Sequence, residues 1–179
     1  MRRSELLAAL FLAFSLPASA QNFPKAEASA GYMYLRFNPS VGASANCNGG
    51  YGSVGVNFNT WFGVVGNIDA CKTNRPAPAT NGTATTYLFG PKFAYRKCCR
   101  VTPFGQVLFG GIHGTSGFPA LAASTNAFSL AAGGGLDVKP WKSCFFAIRV
   151  AEVDYLLTRF NGSTQNNFQF KAGIVLRWW

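Results

Sequence analysis

The sequence predicts an all-β fold, an eight-stranded antiparallel up-and-down transmembrane β-barrel, and three observations carry that expectation. Strand-like alternation recurs in eight segments beyond residue 20, with Gly and Pro punctuation and no sustained helical period between them. On one side of the alternation the residues are large and often aromatic; on the other they are Gly, Ser or charged. Composition agrees, because 49% of the 179 residues are hydrophobic and 15% aromatic while only 12% are charged. That is about half the ~25% charge of an ordinary soluble domain. So many aromatics exclude a disordered chain, so little charge sits badly with a cytosolic enzyme, and the length suits one domain.

The chain opens with a segment to be set aside. Arg2 and Arg3 precede an apolar run from Leu6 to Leu16, Pro17 breaks it, and Ala18-Ser19-Ala20 offers the small residues of a cleavage site. The run is shorter than the ~20 residues a spanning helix needs. Residues 1–20 are therefore expected to be a cleaved signal peptide and 21–179 the barrel domain. Losing Arg2, Arg3 and Glu5 leaves fourteen bases and five acids, a net charge of +9.

The eight segments follow in order, each near the ~9–11 residues with which a tilted strand crosses a bilayer. Ala28–Phe37 comes first. Gly50–Asn59 sets Val54, Val56 and Phe58 against Ser53, Gly55 and Asn57, and Trp61–Ala70 follows at once. Thr85–Arg96 sets Tyr87, Phe89, Phe93 and Tyr95 against Thr86, Gly90, Lys92 and Arg96. Val101–Ile112 is β-rich. Ala127–Lys139 opposes Phe128, Leu130, Leu136 and Val138 to Ser129, Gly133, Gly135 and Asp137. After Phe145–Thr158, Asn167–Trp178 opposes Phe168, Phe170, Ala172, Ile174, Leu176 and Trp178 to Gln169, Lys171, Gly173, Val175 and Arg177. An even number of up-and-down strands closes on itself and leaves no edge.

Two features set the apolar side outward rather than inward, as a soluble ligand-binding barrel would have it. Gly and Ser fit a narrow interior but cover a wet wall poorly. Tyr87, Phe89, Phe93, Tyr95, Phe168, Phe170 and Trp178 are placed where a membrane barrel wears its aromatic girdle. Connections add a check. Residues 38–49, 71–84, 113–126 and 159–166 form long or Gly/Asn/Ser-rich gaps, whereas residue 60 and residues 97–100 and 140–144 form short ones. Long external loops and short periplasmic turns alternate in this way when both termini are periplasmic.

Charges within spanning strands must turn inward, because Arg or Lys towards lipid costs ~2–4 kcal/mol at the midplane. Lys92, Arg96, Asp137, Arg149, Glu152, Asp154, Lys171 and Arg177 are expected to form a luminal salt-bridge network, with Asp69 and Arg36 also inward. Arg149 and Asp154 have opposite parity, so a β-bulge is required around Val150–Glu152. Eight strands leave room for little more than side chains, which disfavours a water-filled pore.

Five cysteines in an exported chain suggest disulfides with one left over. Cys47 closes the first external loop and Cys71 opens the second, so Cys47–Cys71 is expected. Cys98, Cys99 and Cys144 share the periplasmic end, where Cys144 is expected to pair with Cys98 or Cys99. No zinc site is expected, since no Cys-x-x-Cys occurs and His113 lies at the other end.

Tyr87-Leu88-Phe89-Gly90-Pro91-Lys92-Phe93, Pro103-Phe104-Gly105-Gln106, Gly133-Gly134-Gly135-Leu136-Asp137, Arg149 with Asp154-Tyr155, and the aromatic C-terminus at Trp178 and Trp179 occur in that order. Together they resemble the small outer-membrane β-barrel family, of the OmpA transmembrane-domain and OmpX type. The resemblance covers essentially all of residues 21–179. It implies the outer membrane of a Gram-negative-type bacterium, recognition of the C-terminus by the barrel-assembly machinery, and outer-membrane lipid as surroundings. Trp178 has lipid-facing parity and Trp179 luminal parity, so either can be the terminal signal. With the chain ending at Trp179, the cell-wall tethering of full-length OmpA is not expected.

Other matches are weaker. Gly50-Tyr51-Gly52-Ser53-Val54-Gly55 fits a dinucleotide fingerprint but opens a strand rather than a helix. Asn81-Gly82-Thr83 and Asn161-Gly162-Ser163 read as turns before glycosylation acceptors. Lys97, Arg100, Lys139 and Lys142 suit turns facing anionic head groups, and nucleic acid is not an expected partner. The expected role is that of a monomeric envelope structural or surface-interaction protein, its external loops making contact, with no cofactor, metal or catalytic residue. Two alternatives stand beside it: a narrow solute or ion pore, and a lipid acyltransferase using His113, Ser116 and Asp69 at the outer rim.

Overall fold

The computed structural model of the protein describes residues 23–37, 45–73, 82–96, 100–114, 125–140, 145–160 and 163–179. Residues 1–20, Cys98, Cys99, Ser116 and Cys144 lie outside these, so the leader, the second disulfide and one member of the rim triad fall beyond the described residues. Eight strands follow one another: β1 (Ala26–Phe37), β2 (Ala45–Asn57), β3 (Phe62–Thr73), β4 (Thr83–Ala94), β5 (Val101–Gly114), β6 (Thr125–Val138), β7 (Phe146–Phe160) and β8 (Ser163–Trp178). Each pairs antiparallel with its sequence neighbours, and β1 pairs with β8 from Ala26 opposite Trp178 to Arg36 opposite Phe168, closing the barrel. Every strand edge is thus satisfied, as a structure without water around it demands.

The wall has its apolar side outward. On β8, Phe170, Ile174 and Leu176 are 50%, 48% and 41% exposed, whereas Lys171 and Arg177 are each 2% exposed. Tyr87, Phe89, Phe93, Tyr95, Phe168 and Trp178 are exposed in the same sense. Near the end where β1 begins and β8 ends, the expected periplasmic end, Trp61 stacks on Phe93 with ring centroids 5.9 Å apart, and Phe62 lies 5.4 Å from the same ring.

The strands run further at the outer end than the sequence suggests, because Asn, Gln and Thr continue the ladder there. β2 begins at Ala45, β3 ends at Thr73, and β8 begins at Ser163. Only residues 161–162 separate β7 from β8, fewer than residues 139–145 between β6 and β7 at the other end. The expected alternation of long and short connections therefore breaks at its last member. Cys47 and Cys71 consequently lie within strands, not in loops.

Their disulfide is a luminal feature. Cys47 opposes Thr73 and Gly49 opposes Cys71, so the bridge crosses the β2–β3 pair diagonally, with Cα atoms 5.6 Å apart. Gly49 makes this approach feasible: a Cβ there would stand 2.7 Å from the Cβ of Cys71. Both sulfur-bearing residues are buried among Leu35, Phe37, Leu88 and Ile112. The bridge is expected to resist reductant in the folded barrel and to react once urea opens it. Loss of the bridge in the double variant Cys47→Ser, Cys71→Ser should lower stability by about 3 kcal/mol in urea unfolding from vesicles.

Candidate functional site: the luminal ion network

The lumen has two storeys. Towards the periplasm, side chains from six strands meet in one continuous set of ion pairs. Glu27 on β1 accepts from Lys92 on β4 at 2.8 Å and from Arg96, just beyond β4, at 3.2 Å. Arg177 lies between Glu27 and Asp137, at 3.2 and 3.0 Å. Arg149 donates to Asp137 at 2.9 Å and to Glu152 at 2.6 Å. Lys171 closes the chain, 3.2 Å from Glu152, 3.2 Å from Asp154 and 3.5 Å from Asp69. Uncharged amides fill the remaining valences: Gln106 donates to Glu152 at 3.0 Å, and Gln169 to Asp69 at 2.9 Å.

This arrangement is neutral. All five acids beyond residue 20 belong to it, matched by Lys92, Arg96, Arg149, Lys171 and Arg177. A buried charge is tolerable only when paired and hydrogen-bonded, and here each anion meets at least one cation. Phe104 adds a π face between two of them, its centroid 4.5 Å from Lys92 Nζ and 4.5 Å from the Arg149 guanidinium carbon. Gly135 leaves room for that ring, since a Cβ there would stand 2.9 Å from it.

Strand β7 reaches the network through a bulge. Leu136 pairs with Ala151 but Asp137 with Arg149, and on the other side Arg149 pairs with Gly173 but Glu152 with Lys171. Val150 and Ala151 thus occupy one extra step, which turns Arg149, Glu152 and Asp154 to the same side. The bulge lies within the stretch that parity singles out.

Above the network the lumen is part apolar, with Thr86, Ser129, Thr158, Gln165 and Asn167 buried there as well. Met33, Leu35, Phe37, Leu88, Leu108, Ile112, Ala131 and Leu156 fill it together with the disulfide. The expectation of small and ionic groups throughout the interior is therefore corrected: hydrocarbon shares the outer half with neutral polar side chains. Arg36 is corrected too. On β1 the inward residues are Glu27, Ser29, Met33, Leu35 and Phe37, which leaves Tyr32 and Arg36 exposed on the outside. Arg36 is the penultimate residue of β1, near the interface, where an outward Arg costs only ~0–1 kcal/mol.

The rim triad does not form between its described members. Asp69 pairs with Thr86 and His113 with Thr85, so the two lie one step apart in register across β4. Asp69 points inward to Thr86, Asn67 and Gln169, while His113 is exposed outside and bonds Asn126 Oδ1 at 2.8 Å. The barrel wall lies between them. Glu27 and Gln106, by contrast, carry weight in the network that the sequence reading does not give them. Glu27 falls one residue outside the first expected segment, and its parity with Ser29 and Met33 is the signal that reaches it.

Breaking this set should be costly. Arg149→Met leaves Asp137 and Glu152 short of a partner, and truncating one member of a buried pair costs about 3–5 kcal/mol. The variant is expected to unfold at markedly lower urea than wild type in lipid vesicles. Arg36→Met, which touches none of these pairs, should leave the midpoint nearly unchanged.

Comparison with known proteins agrees with this geometry. The chain matches the family described as outer membrane protein β-barrel domain over residues 6–177. No curated protein matches it. Among solved structures it is similar to neisserial surface protein A, with TM-score 0.71 and 13% identity over 88% of this chain and 100% of that one. It is also similar to Ail, the attachment invasion locus protein of Yersinia pestis, with TM-score 0.56 and 20% identity over 86% and 99% of the two chains. Outer membrane protein OprG of Pseudomonas aeruginosa gives TM-score 0.57 and 9% identity over 88% and 97%. A closed eight-stranded wall with its apolar side outward, and a family match over nearly its whole length, make this chain a member of the outer membrane protein β-barrel domain family.

Proposed function

We propose that this outer-membrane barrel serves the envelope as a structural and surface-interaction protein, and that its work is done on its outside rather than through its lumen. The observation that carries this reading is the filling of the interior. The void between Glu27, Ser53, Lys92, Arg149 and Val175 holds only about 10 Å³, roughly one water. Above it hydrocarbon from Met33 to Leu156 packs the lumen together with neutral polar groups such as Ser129, Thr158 and Asn167. A solute would have to break several buried ion pairs to pass.

Charge placement supports the same division of labour. With every acid spent inside, the outer end carries Arg36, Lys72 and Arg159 exposed and no carboxylate. To the segments that join the strands at this end in sequence, residues 38–44, 74–81 and 115–124, this reading assigns the contact.

Planar-bilayer recording of the purified barrel tests the reading. It predicts no reproducible single-channel steps from wild type. Steps that appear in wild type and diminish with Lys92→Ala or Asp154→Ala would establish the narrow pore instead. Loop exchange is the complementary test: Asn-Gly turns in place of residues 38–44, 74–81 and 115–124 should preserve a heat-modifiable barrel and abolish cell-surface adherence. Unchanged adherence would contradict the surface role.

A further inference from the structure

The lipid-facing wall has one conspicuous recess. Across β1–β4 a groove of about 610 Å³ is lined by Ala28, Gly52, Val54, Gly66, Ile68 and Phe89 among others. The neighbouring wall is covered by rings and branched chains, whereas the floor here is bare backbone. Tyr87 does not close the groove, because its ring leans over Gly111 on β5, with ring carbons 2.7 and 2.8 Å from where a Cβ of that glycine would stand.

The fold does not require glycine at the groove floor. A Cβ on Gly52 would meet nothing within 4 Å, and one on Gly66 would meet its nearest atom at 4.0 Å. The β1–β2 and β2–β3 ladders run without a bulge. Gly49 and Gly135, which face inward, are by contrast crowded by their neighbours. Besides bulges and tight barrel bends, strand glycines occur where a ligand or another backbone approaches closely, and the open space over Gly52 and Gly66 admits an acyl chain.

Upward along the outer face of β3, Ile68 gives way to Ala70 and then Lys72. There a second recess of about 380 Å³ begins, lined by Asn48, Ala70, Lys72, Thr83 and Thr85 among others. The Tyr32 hydroxyl donates to Asn48 Oδ1 at 2.7 Å, which orients the amide and leaves its NH₂ as a donor. Lys72 is exposed, and no carboxylate beyond residue 20 lies outside the luminal network to neutralise it. Arg36 stands two strands away and two residues along in register, about 12 Å by strand spacing and rise, with Arg36 opposite Asn46 and Lys72 opposite Asn48.

We propose that this face binds a phosphorylated, acylated saccharide lipid of the outer leaflet. One acyl chain lies in the groove over Gly52 and Gly66, and a phosphate sits at Lys72 with Arg36 in reach. The vertical order, hydrocarbon below and cation above at the outer end, matches such a lipid. A zwitterionic phospholipid brings its own ammonium group and has less need of these cations, whereas saccharide hydroxyls suit Asn48 and Thr85. The inference concerns the wall and does not depend on what the external loops bind.

Native mass spectrometry of the whole barrel released from phosphatidylcholine nanodiscs doped with lipid A or phosphatidylglycerol tests it. Wild type should retain lipid A in preference to phosphatidylglycerol. Lys72→Ala should weaken retention about fivefold, the effect of one cation near a charged surface. Gly52→Leu places a side chain in open space on the lipid side, so it should keep a heat-modifiable barrel while lowering lipid A retention by filling the groove. Equal retention of lipid A by all three proteins, or retention of phosphatidylglycerol as strong as that of lipid A, would overturn the proposal.

Discussion

A lumen too narrow for bulk water must balance its own charge, and that constraint governs the rest of this molecule. Five carboxylates and five cations occupy the periplasmic half as one set of contacts, from Arg96 through Glu27, Arg177, Asp137, Arg149 and Glu152 to Lys171. Removing Arg149, Lys171 or Arg177 would take a partner from two or more carboxylates in a medium that cannot solvate them. The local oddities of the chain answer this demand. The extra step at Val150 and Ala151 is required because Arg149 could not otherwise share the interior with Glu152 and Asp154. Gly135 is required because Phe104 must lie against two cations.

Neutrality inside has a consequence outside. An acid fraction spent wholly on the lumen leaves the surface with bases only, so the outer rim and the periplasmic turns attract anions. The upper lumen, filled by Leu35, Phe37, Leu108 and Ile112 around the Cys47–Cys71 bridge, separates the two environments. The proposed recognition accordingly falls on the exterior: the loops, the rim and the lipid-facing groove.

Much of this was legible because a strand reports its two faces separately. The alternation of Phe168, Phe170, Ile174 and Leu176 with Gln169, Lys171 and Arg177 admits one orientation in a bilayer, and the conflicting parity of Arg149 and Asp154 points to a bulge. β1 was less readable for the same reason. Its inward Met33, Leu35 and Phe37 are as apolar as an outward face, so alternation there does not tell in from out, and the rule that charges turn inward misplaced Arg36. Near the interface that rule loses its force. Loop lengths misled at residues 159–166 because Gln165 looks like a loop residue yet is buried in the lumen, as is Asn167 of the expected last strand, which donates to Thr158 at 3.1 Å. The grouping of Asp69 with His113 failed because nearness in level does not reveal which side of a wall a residue faces.

The central claim is that hydrocarbon touches the even-numbered face of β8 and never its odd-numbered face. Solution or solid-state NMR of the native sequence in bilayers containing acyl-chain nitroxide lipid measures this without altering a residue. Strong paramagnetic broadening at the side chains of Phe168, Phe170, Ile174 and Leu176, with Gln169, Lys171 and Arg177 protected, is the result this account predicts. Broadening of Lys171 and Arg177 with protection of Ile174 and Leu176 would contradict it.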